Sequence, residues 1–215
     1  MARGSGMITT VLETIKTTCE DIGRDPAGVR VIAVTKGRTP EEIQARVLAF
    51  GQFALGENRI QEALPKLEVM PQAEFHLIGH LQTNKVKFCR DFKLIHSIDS
   101  VRLLEELAKR GEAWGFVPPI LLEVNVAREA QKHGLEPEEV AATLKAAQDL
   151  SLDVRGLMTI APYGKPEIAR QSFRELKLLR DNLGLEHLSM GMSEDYPIAV
   201  EEGATMIRPG RVLFE

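Results

Sequence analysis

The sequence contains little cysteine and no long apolar run, and each shortage excludes a class of protein. Two cysteines, Cys19 and Cys89, occur among 215 residues, and neither belongs to a C-x-x-C motif or a Cys/His cluster. A disulfide framework or a bound metal is therefore not expected, and the reducing cytoplasm is the expected location. Because no apolar run approaches the ~20 residues of a membrane helix, no membrane partner is expected.

The chain also lacks a surplus of positive charge, since its formal net charge is −4. A groove that binds nucleic acid usually needs clustered basic residues, so no nucleic-acid partner is expected. A compact anionic ligand stays compatible with this composition, because a few N–H groups and one arginine can hold a phosphate whatever the total charge.

The length and the 44% of hydrophobic residues fit one domain with a sizeable core. Residues 7–215 are predicted to form that domain, since no linker, repeat or low-complexity segment divides them. The first six residues, MARGSG, are too few and too polar for a signal peptide. We expect residues 1–6 to be an expression remnant or a disordered N-terminus.

Short apolar, β-branched segments alternate with charged amphipathic segments along the chain. They predict eight strands, at 29–36, 53–57, 74–80, 93–98, 120–126, 154–161, 187–192 and 205–213. The predicted helices are 8–21, 40–50, 59–69, 82–90, 101–114, 137–150, 166–183 and 194–202. This alternation implies parallel strands and an α/β fold, either a closed (β/α)8 barrel of the TIM type or a doubly wound open sheet. The count of eight favours the barrel, with the helix before the first strand as an extra N-terminal helix.

Active sites of such barrels lie at the C-terminal ends of the strands. The first predicted strand, VIAVTK, ends in Lys36, whose ammonium group needs a wet or paired position. Lys36 is either a surface lysine or a lysine that forms a Schiff base, for which partial desolvation lowers the pKa. Asn58 and His80 follow two other strands and are either helix caps or site residues. Met158 is either core or an apolar surface beneath a flat ring.

The last two strands carry the strongest local signal, which is a phosphate site. The loops that follow these strands commonly bind phosphate in barrels of this kind. Hydroxyl donors and glycines that admit an anion close to the backbone occur there together, at Ser189, Gly191, Ser193 and Gly210. For Ser193 a simple capping role is the alternative.

Several segments resemble one known family. They are VIAVTK, GENRIQE, FHLIGHLQTNK, GLMTIAP, LSMGMSEDYPIAVEEG and IRPGRVLF. The chain is similar, from about Met7 onward, to the YggS/PROSC family of pyridoxal 5′-phosphate (PLP) homeostasis proteins, distant relatives of the alanine racemase barrel domain.

The resemblance implies a fold-type III PLP barrel without a C-terminal β-domain. It implies PLP bound as a Schiff base on Lys36, with Asn58 facing the cofactor. The phosphate is then expected among Ser189, Ser193, Gly210 and Arg211. Arg208 is expected near either the ring nitrogen or the phosphate. Lys36, Asn58, His80, Met158, Ser189, Gly191, Ser193, Arg208, Gly210 and Arg211 are thus the predicted cofactor-binding residues.

The predicted function is a monomeric carrier that holds PLP and delivers it to apo forms of PLP-dependent enzymes. Racemases of the alanine type need a second acid/base opposite the lysine, supplied by a separate domain that is not recognised here. Tyr163 and Tyr196 lack a motif that would mark either as that base. The alternative is a PLP-dependent amino-acid racemase of weak activity, with His80 or a tyrosine as second base. A third hypothesis is a barrel that binds a phosphorylated metabolite without a covalent bond.

Overall fold

The computed structural model describes residues 6–215 and contains nine parallel strands. The expectation for residues 1–5 falls outside this range. The strands are β1 (Arg30–Val31), β2 (Ala33–Val34), β3 (Ala54–Glu57), β4 (Glu74–Leu77), β5 (Leu94–Ile98), β6 (Ile120–Glu123), β7 (Val154–Met158), β8 (His187–Ser189) and β9 (Met206–Ile207). They alternate with helices, and the TIM-type barrel is confirmed.

The α-helices surround the sheet. They are α1 (Met7–Asp21), α2 (Pro40–Arg46), α3 (Ile60–Val69), α4 (Val101–Trp114), α5 (Val140–Asp149), α6 (Pro166–Asn182), α7 (Tyr196–Glu201) and α8 (Arg211–Phe214). The leading helix α1 packs beside α7 and α8, where it fills the outer layer. None of the helices in residues 6–215 combines the length and the apolar character that a bilayer crossing requires.

The two ends of the sheet meet in the first predicted strand, which the structure divides into β1 and β2. The order of the sheet is β1-β9-β8-β7-β6-β5-β4-β3-β2. Arg30 N–H donates to the Thr205 carbonyl at 2.8 Å and Ile32 N–H donates to the Ile207 carbonyl at 2.8 Å. On the other side, Thr35 N–H donates to the Gly56 carbonyl at 2.9 Å. The sheet therefore closes on itself.

Some element boundaries differ from the predicted ones, and others agree with them. Segment 82–90 contains a 3-10 helix, Thr83–Phe88, instead of an α-helix. The last strand ends at Ile207, and Pro209 and Gly210 separate it from the short helix α8. Helix α2 begins at Pro40 as predicted, and Thr39 and Glu42 form a capping box.

Two apolar clusters fill the molecule. The larger one joins the outer faces of the strands to the helices. The smaller one lies inside the barrel, because its members come from six different strand segments: Ile32, Ala54, Leu94, Leu121, Met158 and Met206. The interior is thus packed at this level, and a ligand has room only at an end of the barrel.

Candidate functional site

A cavity of about 380 Å³ opens at the C-terminal ends of the strands. Its size is within the range of small-molecule sites. It is lined by Val34, Lys36, Asn58, Ile78, residues 160–166, Ala169, residues 192–195, Ile198, Arg208, Gly210 and Arg211. Six of the ten predicted site residues therefore share this cavity: Lys36, Asn58, Ser193, Arg208, Gly210 and Arg211.

Lys36 follows the end of β2 and is exposed to the cavity. Within residues 6–215, no hydrogen bond or ion pair holds its ammonium group. The next residue, Gly37, turns the chain with a φ of 70°, a conformation that glycine adopts without steric cost. Gly37 N–H donates to Glu62 Oε2 at 3.0 Å. The turn fixes the backbone beside Lys36 and leaves the amine free to react.

A buried ion pair stabilises the backbone at the C-terminal ends of the first and second predicted strands. Lys66 Nζ lies 2.5 Å from Glu57 Oε1 and donates to the Thr35 carbonyl at 2.8 Å. Thr35 Oγ1 donates to the same Glu57 oxygen at 2.6 Å. Because Thr35 precedes Lys36 and Glu57 precedes Asn58, this cluster positions the backbone from which both cavity residues project.

Asn58 presents an unused acceptor at the cavity wall. Its Oδ1 atom is buried and has no hydrogen-bond partner among the described residues. A buried polar atom without a partner costs free energy, so this oxygen is suited to a ligand that donates a hydrogen bond. The backbone here also requires glycine at position 79, because a Cβ there would lie 2.1 Å from the Asn58 carbonyl oxygen.

Arg208 lines the cavity and is 2% exposed. One terminal nitrogen donates to Ser189 Oγ at 2.6 Å and the other donates to the Thr159 carbonyl at 2.8 Å. Desolvation lowers the pKa of Arg208 to about 10, while the charges of Glu123 and Asp195 oppose that shift. The guanidinium therefore stays charged at neutral pH and is fixed in direction.

Two buried histidines continue this network through the barrel interior. Ser189 Oγ lies 2.8 Å from His96 Nδ1, and His96 Nε2 lies 2.9 Å from His76 Nδ1. Burial lowers the pKa of His76 to about 3 and that of His96 well below its usual value. Both rings are therefore neutral.

Arginine only donates, so Ser189 accepts from Arg208. The hydroxyl of Ser189 still has one O–H and one acceptor position for His96 Nδ1, and the direction of the two histidine contacts follows the tautomers of the rings. At the far end of the chain, His76 Nε2 has no partner among the described residues.

The rim near α8 offers a hydroxyl, a cation and close backbone approach. Ser193 Oγ accepts from Gly210 N–H at 3.0 Å and from Val212 N–H at 3.4 Å. The Ser193 O–H is therefore free to donate into the cavity. Arg211 pairs with Glu194 at 2.6 Å, and its guanidinium lies 5.8 Å from the centre of the Tyr163 ring.

Four predicted site residues lie outside the cavity lining. Met158 belongs to the apolar cluster inside the barrel, and Ser189 lies beneath Arg208 as its hydrogen-bond acceptor. Gly191 has a φ of 90°, and a Cβ there would lie 2.5 Å from the Ala199 Cβ, so glycine lets the chain pass α7. His80 lies elsewhere on the rim, where its ring stacks on His133.

The sequence relatives decide the family. The family model for the alanine racemase N-terminal domain matches residues 12–215. The pyridoxal phosphate homeostasis protein of Deinococcus radiodurans is 44% identical over 207 residues, covering 96% of this chain and 99% of that protein. The protein of the same name from Aquifex aeolicus is 42% identical, with coverage of 96% and 95%. This chain belongs to the pyridoxal phosphate homeostasis protein family, and the resemblance found in the sequence is confirmed.

A solved structure of similar shape extends this comparison. PipY of Synechococcus elongatus PCC7942, whose structure has PLP bound, is 34% identical with a TM-score of 0.81. The match covers 94% of this chain and all of that one, at 100%. Alanine racemase of Clostridium difficile is 13% identical with a TM-score of 0.72, a likeness that shows the fold alone.

The cavity of this family member fits PLP in its donor and acceptor set. It combines a free primary amine, an acceptor without a partner at Asn58 Oδ1, and a buried cation at Arg208. Gly210 packs closely against Val34 in the cavity wall, because a Cβ at position 210 would lie 3.3 Å from Val34 Cβ. A larger residue there would take up space in the cavity.

Sequence reasoning missed five supporting residues: Thr35, Glu57, Lys66, His76 and His96. All five are buried. The signal for the histidines was their place inside apolar strands, at EFHL and LIHSI, where a polar residue needs a partner. The partners come from distant strands, and no local pattern names them.

Proposed function

We propose that this protein binds PLP covalently through Lys36 and acts in PLP homeostasis as a carrier. The observation that carries the proposal is the Lys36 amine, which has no partner among residues 6–215 and lies in a cavity that the buried Arg208 also lines. The PLP-bound structure of the relative PipY supports the identity of the ligand.

Six residues of the cavity have a role in this proposal. PLP supplies an aldehyde that condenses with a primary amine. Lys36 provides that amine, and Asn58 Oδ1 accepts a hydrogen bond from the bound ligand. Ser193 and Arg211 bind the phosphate with Gly210 beside them, while Arg208 lies at the ring nitrogen. A cation at that nitrogen disfavours its protonation, which weakens the electron withdrawal on which most PLP enzymes depend.

The proposed carrier delivers PLP to apo-enzymes as a cytoplasmic monomer. The cavity is open to solvent on the side of Tyr163, whose side chain is highly exposed. An open mouth lets a competing amine reach the linkage at Lys36. Incubation of the loaded protein with an apo-aminotransferase should restore the activity of that enzyme, whereas the Lys36→Ala protein should not restore it.

The covalent linkage is tested by spectroscopy and peptide mapping. The purified protein with added PLP should show a band near ~420 nm. Borohydride should remove the band and fix the cofactor on the peptide that contains Lys36. Lys165→Ala is the matched control, because Lys165 lines the same cavity. The adduct on Lys165, or no adduct at all, would refute the proposal.

An amino-acid racemase is the second candidate, and one observation favours it. Tyr163 lines the cavity that holds Lys36, so a hydroxyl is available as a second acid/base. The other candidate bases, His80 and Tyr196, are not among the residues that line the cavity. Racemisation of a panel of L-amino acids, with deuterium exchange at Cα, tests this function. Turnover above ~1 s⁻¹ that is abolished in Tyr163→Phe would refute the carrier function and show that the protein is a racemase.

A further inference from the structure

A second group of potential ligands lies on the same rim, beside the proposed PLP site. His80 follows β4, Asp99 follows β5, and His133 lies in the segment between β6 and α5. Three neighbouring strands thus each deliver one side chain to one place. None of the three lines the cavity.

The donor atoms of these side chains are close together. His80 Nδ1 lies 3.6 Å from Asp99 Oδ2. The rings of His80 and His133 are 3.7 Å apart between centroids, with 11° between their planes. One donor atom from each of the three residues lies within 4.8 Å of the other two. Donors of a four-coordinate zinc ion lie about 3.3–3.6 Å apart, given bonds of about 2.0–2.2 Å, so the donor atoms must approach one another before all three can bind one ion.

We propose that His80, Asp99 and His133 bind one divalent cation of the kind that prefers imidazole, such as Zn²⁺. Two imidazole nitrogens and one carboxylate oxygen form a common ligand set for zinc, with the fourth position left to water. The carboxylate of Asp99 disfavours an anion at this place.

Binding requires one change of geometry. Parallel rings cannot both direct a nitrogen lone pair at one ion, because each lone pair lies in the plane of its ring. His80 and His133 are both exposed, so the rings are free to tilt. Gly134, with a φ of 114°, follows His133 directly.

Occupancy would connect the cation to the wall of the cavity. Lys132, adjacent to His133, donates to the carbonyls of Ile160 at 3.4 Å and Ala161 at 3.3 Å. Both of those residues line the cavity. A bound cation would therefore hold the segment 125–134 against the rim and stiffen that wall.

Calorimetric titration of the full chain, free of any histidine tag, with Zn²⁺ at pH 7.5 tests the proposal. We expect one ion per chain with a Kd on the order of 10 μM or tighter. His133→Ala and Asp99→Asn should each weaken binding at least about tenfold. His187→Ala is the control and should leave the Kd unchanged, because His187 lies on β8, away from the cluster.

A second measurement locates the ion. Hydrogen exchange of residues 126–133 should slow when Zn²⁺ is added to the wild-type protein and should not change in His133→Ala. Stoichiometric binding that persists in His133→Ala would overturn the proposal. A Kd weaker than about 1 mM would also overturn it. Because these readouts do not involve PLP, they stand or fall independently of the proposed function.

Discussion

Two lysines near the end of the first strand show how the interior of this barrel differs from its mouth. Lys66 is buried, and its ammonium group binds Glu57 and the Thr35 carbonyl. Lys36 follows Thr35 directly and is exposed, without a partner among residues 6–215. The same functional group is structural in one region and available for chemistry in the other.

The difference extends to the other polar groups. In the interior, Arg208, Ser189, His96 and His76 form one connected chain of hydrogen bonds. At the mouth, Lys36 is unpaired and Asn58 Oδ1 has no partner in the described chain. The interior uses its polar groups to fix positions, and the mouth leaves them open for a ligand. The predictions below test that division.

The largest expected effect follows from removal of the buried cation. Lys66→Met leaves Glu57 charged and buried, so the free energy of unfolding should fall by about 3–5 kcal/mol. Urea denaturation at pH 7 measures this loss. The double variant Glu57→Gln with Lys66→Met should recover much of it, because no unpaired charge remains. A loss below about 1 kcal/mol in the single variant would contradict the structural role of the pair.

The buried carboxyl of Glu123 should make the free energy of unfolding depend on pH, with an effect of comparable size. Burial and the charge of Asp99 raise its pKa to about 7. The folded state therefore binds a proton that the unfolded state releases between about pH 4.5 and 7, and stability falls as pH rises through that range. Glu123→Gln should be more stable than wild type by about 3 kcal/mol at pH 8 and equal to it near pH 4.5.

The buried histidines act with the opposite sign. Because the pKa of His76 is lowered to about 3, the unfolded state binds the extra proton and stability falls as pH drops below about 6.5. In the wild-type protein the proton that folded Glu123 retains partly offsets this loss of stability between about pH 4.5 and 6.5. Urea curves of Glu123→Gln should therefore show a steeper acid loss, by about 1.4 kcal/mol per pH unit. An unchanged slope would contradict the burial of these groups.

A smaller effect separates two serines of the same polypeptide. Ser189→Ala leaves Arg208 and His96 each without one buried partner, and should cost about 1–3 kcal/mol. Ser193→Ala removes a cap from half-buried N–H groups and should cost about 1 kcal/mol. Denaturation measures both. PLP affinity should fall more in Ser193→Ala than in Ser189→Ala. A larger fall in Ser189→Ala would contradict the proposal that Ser193 is the serine that binds the ligand.

The smallest effect on stability is expected for substitution of Lys36, although this residue forms the covalent bond to PLP in the proposed function. Lys36→Met should change the free energy of unfolding by no more than about 0.5 kcal/mol, because the side chain is exposed and unpaired. The same variant should lose the absorption band of the PLP adduct. A large fall in the free energy of unfolding would show that Lys36 has a structural partner, as Lys66 does, and would contradict the difference drawn between the two lysines.

The sequence predicted the parts of this molecule that depend on local pattern. Lys36 stood out as a charged end of an apolar strand, and the eight-fold alternation of strands and helices indicated the barrel. The two histidines of the interior network were missed, because the four members of the network lie on four different strands or strand ends and meet only after closure. His80 was expected at the cofactor, but its ring stacks on a loop residue far along the sequence.

The seam between the first and last strands has a consequence for biosynthesis. Arg30 and Ile32 leave the ribosome long before Thr205 and Ile207, whose carbonyls they bind. Until those residues are synthesised, the sheet has two open edges. Lys36 lies just beyond the seam, and Arg208 lies just after the last strand. A nascent chain that has not yet reached β9 therefore has neither a closed barrel nor Arg208, and under the proposed function it cannot hold its ligand.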